Sequence, residues 1–188
     1  YGLSEELIQT VDFFGDKLEV EIVLGGLRAG GGDKWNTSFK DFLRHHWEDV
    51  SKASGQPFSY QLLEREHFNY DTEPSCRAVV TVANMHEDKV LPFFKAVQKR
   101  FYLDNEDPTQ TSFYRSICEN MGIDFNVFAT QFESETMRQK TIEHFRRSAA
   151  LGARSFPTVM LIHNGKTTPV AVGFSTFESM KTKIEDLL

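Results

Sequence analysis

Few residues of this chain can act as nucleophiles or ligands, and their spacing decides among the options. The only cysteines, Cys76 and Cys118, stand 42 residues apart, so the sequence shows neither a Cys-x-x-Cys redox pair nor a thiolate metal site. Cys76 falls in the first turn of an expected helix beside Arg77, a setting that lowers a thiol pKa. The competing reading, a small apolar core residue, is favoured because no second cysteine is near in sequence. Cys118 lies on an apolar helical stripe and reads as core. The 6 histidines form no H-x-x-x-H or H-E-x-x-H pair, and the adjacent His45 and His46 point to different helix faces; no metal site is expected. Gly25-Gly26 and Gly30-Gly31-Gly32 invite comparison with a phosphate cradle. A P-loop needs Lys and Ser/Thr directly after its last Gly, whereas Asp33 intervenes here and Trp35 follows Lys34; G-x-G-x-x-G is not matched either. The stretch reads as a flexible strand-to-helix connection.

The elements that must position these residues follow from periodicity and caps. Leu3 to Asp16 predicts a helix, with Ser4 as N-cap, Glu5 and Glu6 at the positive dipole end, and Leu7, Ile8, Val11 and Phe14 at helical spacing. Leu18 to Leu24 alternates apolar and charged, then turns continuously apolar, which predicts a strand entering a buried sheet. From Trp35 to Ala150 nearly everything reads as helix. Thr37 caps a helix through Phe39, Phe42, Leu43, His46 and Trp47, and a short helix carries Tyr60, Leu62 and Leu63 after Gly55-Gln56-Pro57. Asp71 or Thr72 caps the next, with Pro74 in its first turn, where a missing N–H costs nothing. Another from Asp88 to Leu103 turns Val90, Leu91, Phe94, Val97 and Phe101 inward and Lys89, Lys95 and Lys99 outward. Gly122 separates two more helices, and the last runs from Ser134 to Leu151. The tail changes to strands. Phe156 to Ile162 is strand-like with Pro157 at its entrance, Asn164-Gly165 signals a hairpin, and Val170 to Val172 returns. Ser175 or Thr176 then caps a closing helix through Phe177, Met180, Ile184 and Leu187.

Composition narrows the function classes. At 188 residues, with 40% hydrophobic and 26% charged residues and 17 Phe, the chain has ample material for one globular domain, or one domain with a large insertion. Its net charge of −6 argues against nucleic acid as a partner. No apolar run is long enough for a membrane span and no signal segment opens the chain, so a soluble protein in the cytoplasm is expected, with no membrane partner. An acidic chain this rich in Phe leaves room for a homodimer face.

Particular strings sharpen the picture. Leu24-Gly25-Gly26-Leu27-Arg28, His46-Trp47, Ser54-Gly55-Gln56-Pro57-Phe58, Tyr70-Asp71-Thr72-Glu73-Pro74-Ser75-Cys76-Arg77-Ala78-Val79 and Ser155-Phe156-Pro157-Thr158 occur in that order. Together they resemble the DsbA-like thiol-disulfide oxidoreductases of the FrnE branch, across the whole chain. Kappa-class glutathione transferases and 2-hydroxychromene-2-carboxylate isomerases are more distant relatives on that architecture. The resemblance implies an α/β, thioredoxin-like fold with a large all-helical insertion: residues 1–34 and 149–188 as the thioredoxin-like domain, 35–148 as the insertion.

The resemblance also implies a division of labour. In that family a strand and Cys-x-x-Cys come directly before an aromatic residue and Gly, here Tyr1-Gly2, so the redox motif is expected just upstream of Tyr1. Phe156, Pro157 and Thr158 are implied as substrate-binding residues, with a cis bond before Pro157. Tyr1, Gly25, Gly26, His46, Trp47, Cys76 and Arg77 are groove or accessory candidates. The implied activity is disulfide exchange with a protein or small-thiol substrate, without a cofactor. The alternatives are a non-redox binding relative that lost the thiols and a glutathione-dependent isomerase or transferase. No dithiol exchange is expected of residues 1–188 alone.

Overall fold

Side-chain caps set where four of the eight α-helices begin. Asn36 accepts from Phe39 N and starts α2 (Thr37–Ser54), Asp124 accepts from Asn126 N and Val127 N and starts α6 (Phe125–Phe132), and Ser134 accepts from Met137 N and starts α7 (Glu135–Ala150). Thr176 does the same through Ser179 N for α8 (Phe177–Leu187). Such caps are worth about 1 kcal/mol each. The first cap thus falls on Asn36, one residue before the expected Thr37. In α1 (Ser4–Phe14) the expected cap, Ser4, lies inside the first turn. Its N–H and its hydroxyl both donate to Tyr1 O, because Tyr1–Leu3 already forms a turn that presents a nearer acceptor. Asp71 Oδ1 takes the Glu73 N–H at the start of α3 (Glu73–Met85), where Pro74 needs no partner.

This computed structural model describes residues 1–188 and is mostly helical, completed by α4 (Val90–Tyr102), α5 (Arg115–Asn120) and one small sheet. The sheet is an antiparallel hairpin of β1 (Thr158–His163) and β2 (Lys166–Val172), turned by Asn164 and Gly165 at φ 50° and 74°. Both turn residues need positive φ, which is why Asn-Gly suits them. A bulge interrupts the register at Val159/Met160 and leaves Pro169 opposite Met160; Lys183 Nζ donates to the Val170 carbonyl at 2.9 Å.

The expected strand at Leu18 to Leu24 is not formed: the sheet holds only β1 and β2. Alternation marks which faces are buried, but a strand also needs a neighbouring backbone to pair with. Here α7 supplies side chains instead. His144 Nδ1 accepts from Leu24 N at 3.4 Å, and Arg147 grips both carboxylate oxygens of Glu21.

The buried side chains form three clusters. The largest joins α3 to α6 through Val79, Val82, Phe93, Tyr114, Phe128 and Phe132, with Leu24 at its edge. A second joins Leu3 and Phe14 of the α1 region to Val170 and Ala171 of β2 and Met180 and Ile184 of α8, so the two ends of the chain share one core. The third surrounds Trp47 with Leu43, Leu62 and Leu63 inside a ring of aromatic residues. In α4 the fully buried aromatic is Phe93, which the sequence pattern omitted; Leu91 is only partly buried. A 3-10 turn at Glu87–Lys89 precedes α4. Apolar residues at positions 90, 91, 93, 94, 97 and 101 cover more than one helical stripe, so spacing alone does not choose which of them packs inward.

Candidate functional site

The loop between α7 and β1 is held at several points. Gly152, at φ 81°, ends α7, and the next amide, Ala153 N–H, donates back to Ser148 O. Thr158 Oγ1 donates to Ser155 O at 2.6 Å, and Pro157 O accepts from Gly173 N at 2.8 Å, tying the loop to the end of β2. The Phe156–Pro157 bond is cis. The Phe156 ring rests on Gly25, where any Cβ would overlap it, and remains 38% exposed on its other side. Gly26, at φ 60°, gives the same close approach to Phe145 of α7. Here the glycine pair is a landing surface for two aromatic rings.

The rest of the glycine-rich stretch is a tether. Arg28 N donates to Thr72 Oγ1 (3.0 Å), Thr72 N to Arg28 O (3.3 Å), and Gly30 N to Asp71 Oδ1 (2.8 Å). Gly31 packs on Asn69. The Arg28 and Gly30 amides, which a phosphate cradle would use, are already bonded to the segment leading into α3. The Arg28 guanidinium lies over Phe39 (4.9 Å) and Phe42 (5.9 Å) and is paired with Asp33. Leu27 and Phe42 are among the most exposed apolar side chains of the molecule. The Phe156 ring, open to solvent on one side, is thus not enclosed in a cavity. Two surface grooves lie elsewhere: about 470 Å³ between α1 and α4, beside Ile8 and Leu91, and about 330 Å³ at the hairpin tip, beside His163 and Asp186.

The candidate residues disperse around this loop. Phe156, Pro157 and Thr158 stay together, with Gly25 and Gly26 beneath them. Tyr1 packs its ring on Phe58 (5.1 Å) and Tyr102 (5.4 Å), so the amino end of α1 leans on the helical region. His46 is exposed and stacks on Phe42 at 6.2 Å. Trp47, 2% exposed, is core and lines no groove. Arg77 is buried too: its Nη1 donates to Phe132 O at 2.9 Å, and its Nε lies 2.9 Å from Glu73 Oε1. Phe145, packed on Gly26, completes the surroundings and was not singled out from sequence. Its only signal was the Gly25-Gly26 pair, which makes room for rings without saying which rings arrive.

Neither cysteine is built to react. Burial pushes both thiols up to about 12, in Cys76 despite a Gly26 backbone hydrogen bond that opposes the shift. At pH 7 a thiol of pKa 12 is ionised only to ~10⁻⁵; allowing for its greater intrinsic nucleophilicity, it still reacts on the order of a hundred-fold more slowly than a free cysteine. We expect no thiol to react with a chromogenic disulfide reagent in the native chain within minutes, and both to react in denaturant. Rapid native labelling of Cys76 would restore it as a reactive group.

His144 makes the bond between α7 and the Leu18–Leu24 segment sensitive to acid. Desolvation lowers its pKa from 6.5, opposed by Glu21 and Glu143 and reinforced by Arg147. The folded state therefore prefers the neutral ring, whose Nδ1 accepts from Leu24. This contribution is fully present above about pH 6.5 and is lost as pH falls through the lowered value. Denaturant midpoints of the wild type should drop more between pH 8 and pH 5.5 than those of His144→Gln; parallel profiles would show that His144 is not the group responsible.

No protein-family model matches the sequence, and no curated protein matches it. Solved structures do. A candidate protein disulfide isomerase of Nitrosomonas europaea superposes with a TM-score of 0.90 at 29% identity, over 98% of this chain and 89% of its own. The cytosolic disulfide reductase DsbM of Pseudomonas aeruginosa gives 0.82 at 20% identity, over 100% of this chain and 91% of its own. The same enzyme with glutathione gives 0.73 at 21%, over 100% and 92%. The architecture thus matches that of DsbA-like disulfide oxidoreductase structures over nearly the whole chain. No helix is long and apolar enough to cross a membrane.

Proposed function

We propose that this chain is the scaffold of a thiol-disulfide oxidoreductase or isomerase of the DsbA/FrnE type, working in the cytoplasm. Its redox Cys-x-x-Cys lies on a segment just upstream of Tyr1. A thiolate there stands at the amino end of α1, where the helix dipole lowers its pKa. It attacks one sulfur of a substrate disulfide, forms a mixed disulfide and releases the other sulfur as a thiolate. The second cysteine then attacks the mixed disulfide, so the substrate leaves reduced and the enzyme is oxidised. The Phe156-Pro157-Thr158 loop offers backbone to an extended substrate beside that sulfur.

The observation that carries this reading is the match to the Nitrosomonas protein at 29% identity over 98% of the chain. The shared core of α1, the hairpin and α8 supports it, because it brings the chain's two ends into one unit. In this reading residues 1–34 and 149–188 form a thioredoxin-like domain and 35–148 a helical insertion. The glutathione-bound DsbM structure supports small thiols as substrates alongside disulfide-containing proteins. The second reading is a binding relative that kept the surface without the thiols; residues 1–188 are compatible with it, since their two cysteines, Cys76 and Cys118, are both buried.

The test uses the full-length protein with the sequence that precedes Tyr1. It should reduce insulin with a thiol donor well above the uncatalysed rate, and the Cys76→Ser/Cys118→Ser variant should match it. A rate at background overturns the oxidoreductase reading and leaves the binding one.

A further inference from the structure

Charge is distributed unevenly along this acidic chain. From His144 to Phe177 there is no Asp or Glu, and all 27 carboxylates lie outside that stretch. Inside it are Arg146, Arg147, Arg154 and Lys166. Arg147 is already committed to Glu21. Arg154 has neither an ion pair nor a hydrogen bond and is exposed, two residues before Phe156, on the loop whose anchors are described above. A free guanidinium thus stands on a fixed loop, two residues in sequence from an apolar ring that faces solvent on one side. The nearest cation along the glycine-rich tether, Arg28, is neutralised by Asp33, and Lys166 opens β2 at the far end of the hairpin, roughly 20 Å along the strand.

We propose that Arg154 makes this site selective for thiols and disulfides that carry carboxylates close to sulfur. The inference rests on the reading that the Phe156–Thr158 loop handles substrate. A net charge of −6 repels anions from the surface at large. A local cation that no carboxylate pairs with focuses them onto one spot. A guanidinium can hold a carboxylate through two parallel hydrogen bonds, a geometry that a lysine cannot reproduce. Phe156 then packs against the apolar part of the substrate, and the carboxylate fixes its orientation.

The experiment needs no redox chemistry, so it stands apart from the insulin assay: failure there would sink the oxidoreductase reading and leave this result intact. S-methylglutathione, a thioether with two carboxylates, is titrated into the chain and followed by NMR, beside its dimethyl ester. The acid should bind about ten-fold more tightly than the ester, and Arg154→Gln should abolish that difference while leaving ester binding and the spectrum of the core unchanged. Lys166→Gln, which removes the same charge far from the loop, should leave the preference intact. A second arm uses an S-methylcysteine peptide flanked by glutamates. Tighter binding than S-methylglutathione assigns the carboxylates to a protein substrate, weaker binding to a small thiol. Equal affinity of acid and ester, an undiminished preference in Arg154→Gln, or no binding of either form overturns the proposal.

Discussion

Trp47→Ala should cost about 3–5 kcal/mol of folding stability, the range for deleting a large buried aromatic side chain. Spread over a chain of this length, that is a fall in Tm on the order of 10 °C. Trp47 is only 2% exposed and lies 5.4 Å from Tyr102, 6.0 Å from Phe58 and 6.2 Å from both Tyr60 and Phe101, ring centre to ring centre. Two of these partners, Phe58 and Tyr102, also hold the Tyr1 ring. The cavity would therefore loosen the amino end of α1 as well as the centre of α2. Urea unfolding monitored by circular dichroism gives the answer directly. A loss below 1 kcal/mol would mean that the aromatic cluster collapses around the gap, and that Trp47 does not organise it.

Arg77→Ala should be comparably damaging, by about 3–5 kcal/mol, for an electrostatic reason. The guanidinium is 5% exposed and serves three groups: the Glu73 carboxylate one turn back, the terminal carbonyl of α6 at Phe132, and the Phe132 ring 4.2 Å away. Removing it leaves a half-buried carboxylate and an orphaned helix-end carbonyl. Glu73 already carries a pKa raised mainly by desolvation, with Arg77 as the largest opposing influence. The double variant Arg77→Met/Glu73→Leu separates these costs. It removes both charges and should recover most of the loss, leaving the unpaired Phe132 carbonyl at about 1–3 kcal/mol. If the double variant is no more stable than Arg77→Ala, the carbonyl rather than the ion pair dominates.

Local chemistry in the sequence anticipates the elements whose determinants are themselves local. Asn164-Gly165 needs only its two φ values, Pro74 only its place in a first turn, and Thr176 only an N–H three residues on, and the structure has all three. Leu18 to Leu24 fails because strand formation depends on a second backbone, which no pattern within seven residues contains. Phe93 was missed for a similar reason. Several stripes of α4 are apolar, and which one turns inward is decided by Tyr114 and Phe128 of other helical segments, which pack on Phe93.

The candidate site divides along the same line. Phe156 and Pro157 drew attention through a resemblance to a family, and the structure seats Phe156 on Gly25, 131 residues away in sequence. Nothing local to either residue announces that contact. Trp47 and Arg77 were grouped with the groove candidates because they occur in recurring strings, yet packing and a buried ion pair account for both. Arg154 attracts notice only when the charges of the whole chain are laid out, since one arginine on a loop is unremarkable by itself.

The hairpin also governs how these molecules meet one another. Along the outer rim of β2, Pro169 has no amide hydrogen to offer, the bulge at Val159/Met160 kinks the line, and Lys183 occupies the Val170 carbonyl. A foreign strand laid on that rim would find its ladder broken in consecutive places. Crowded or partly unfolded copies are thus denied one ready route to fibril-like stacking, and any enlargement of the sheet is directed to the opposite flank, alongside β1.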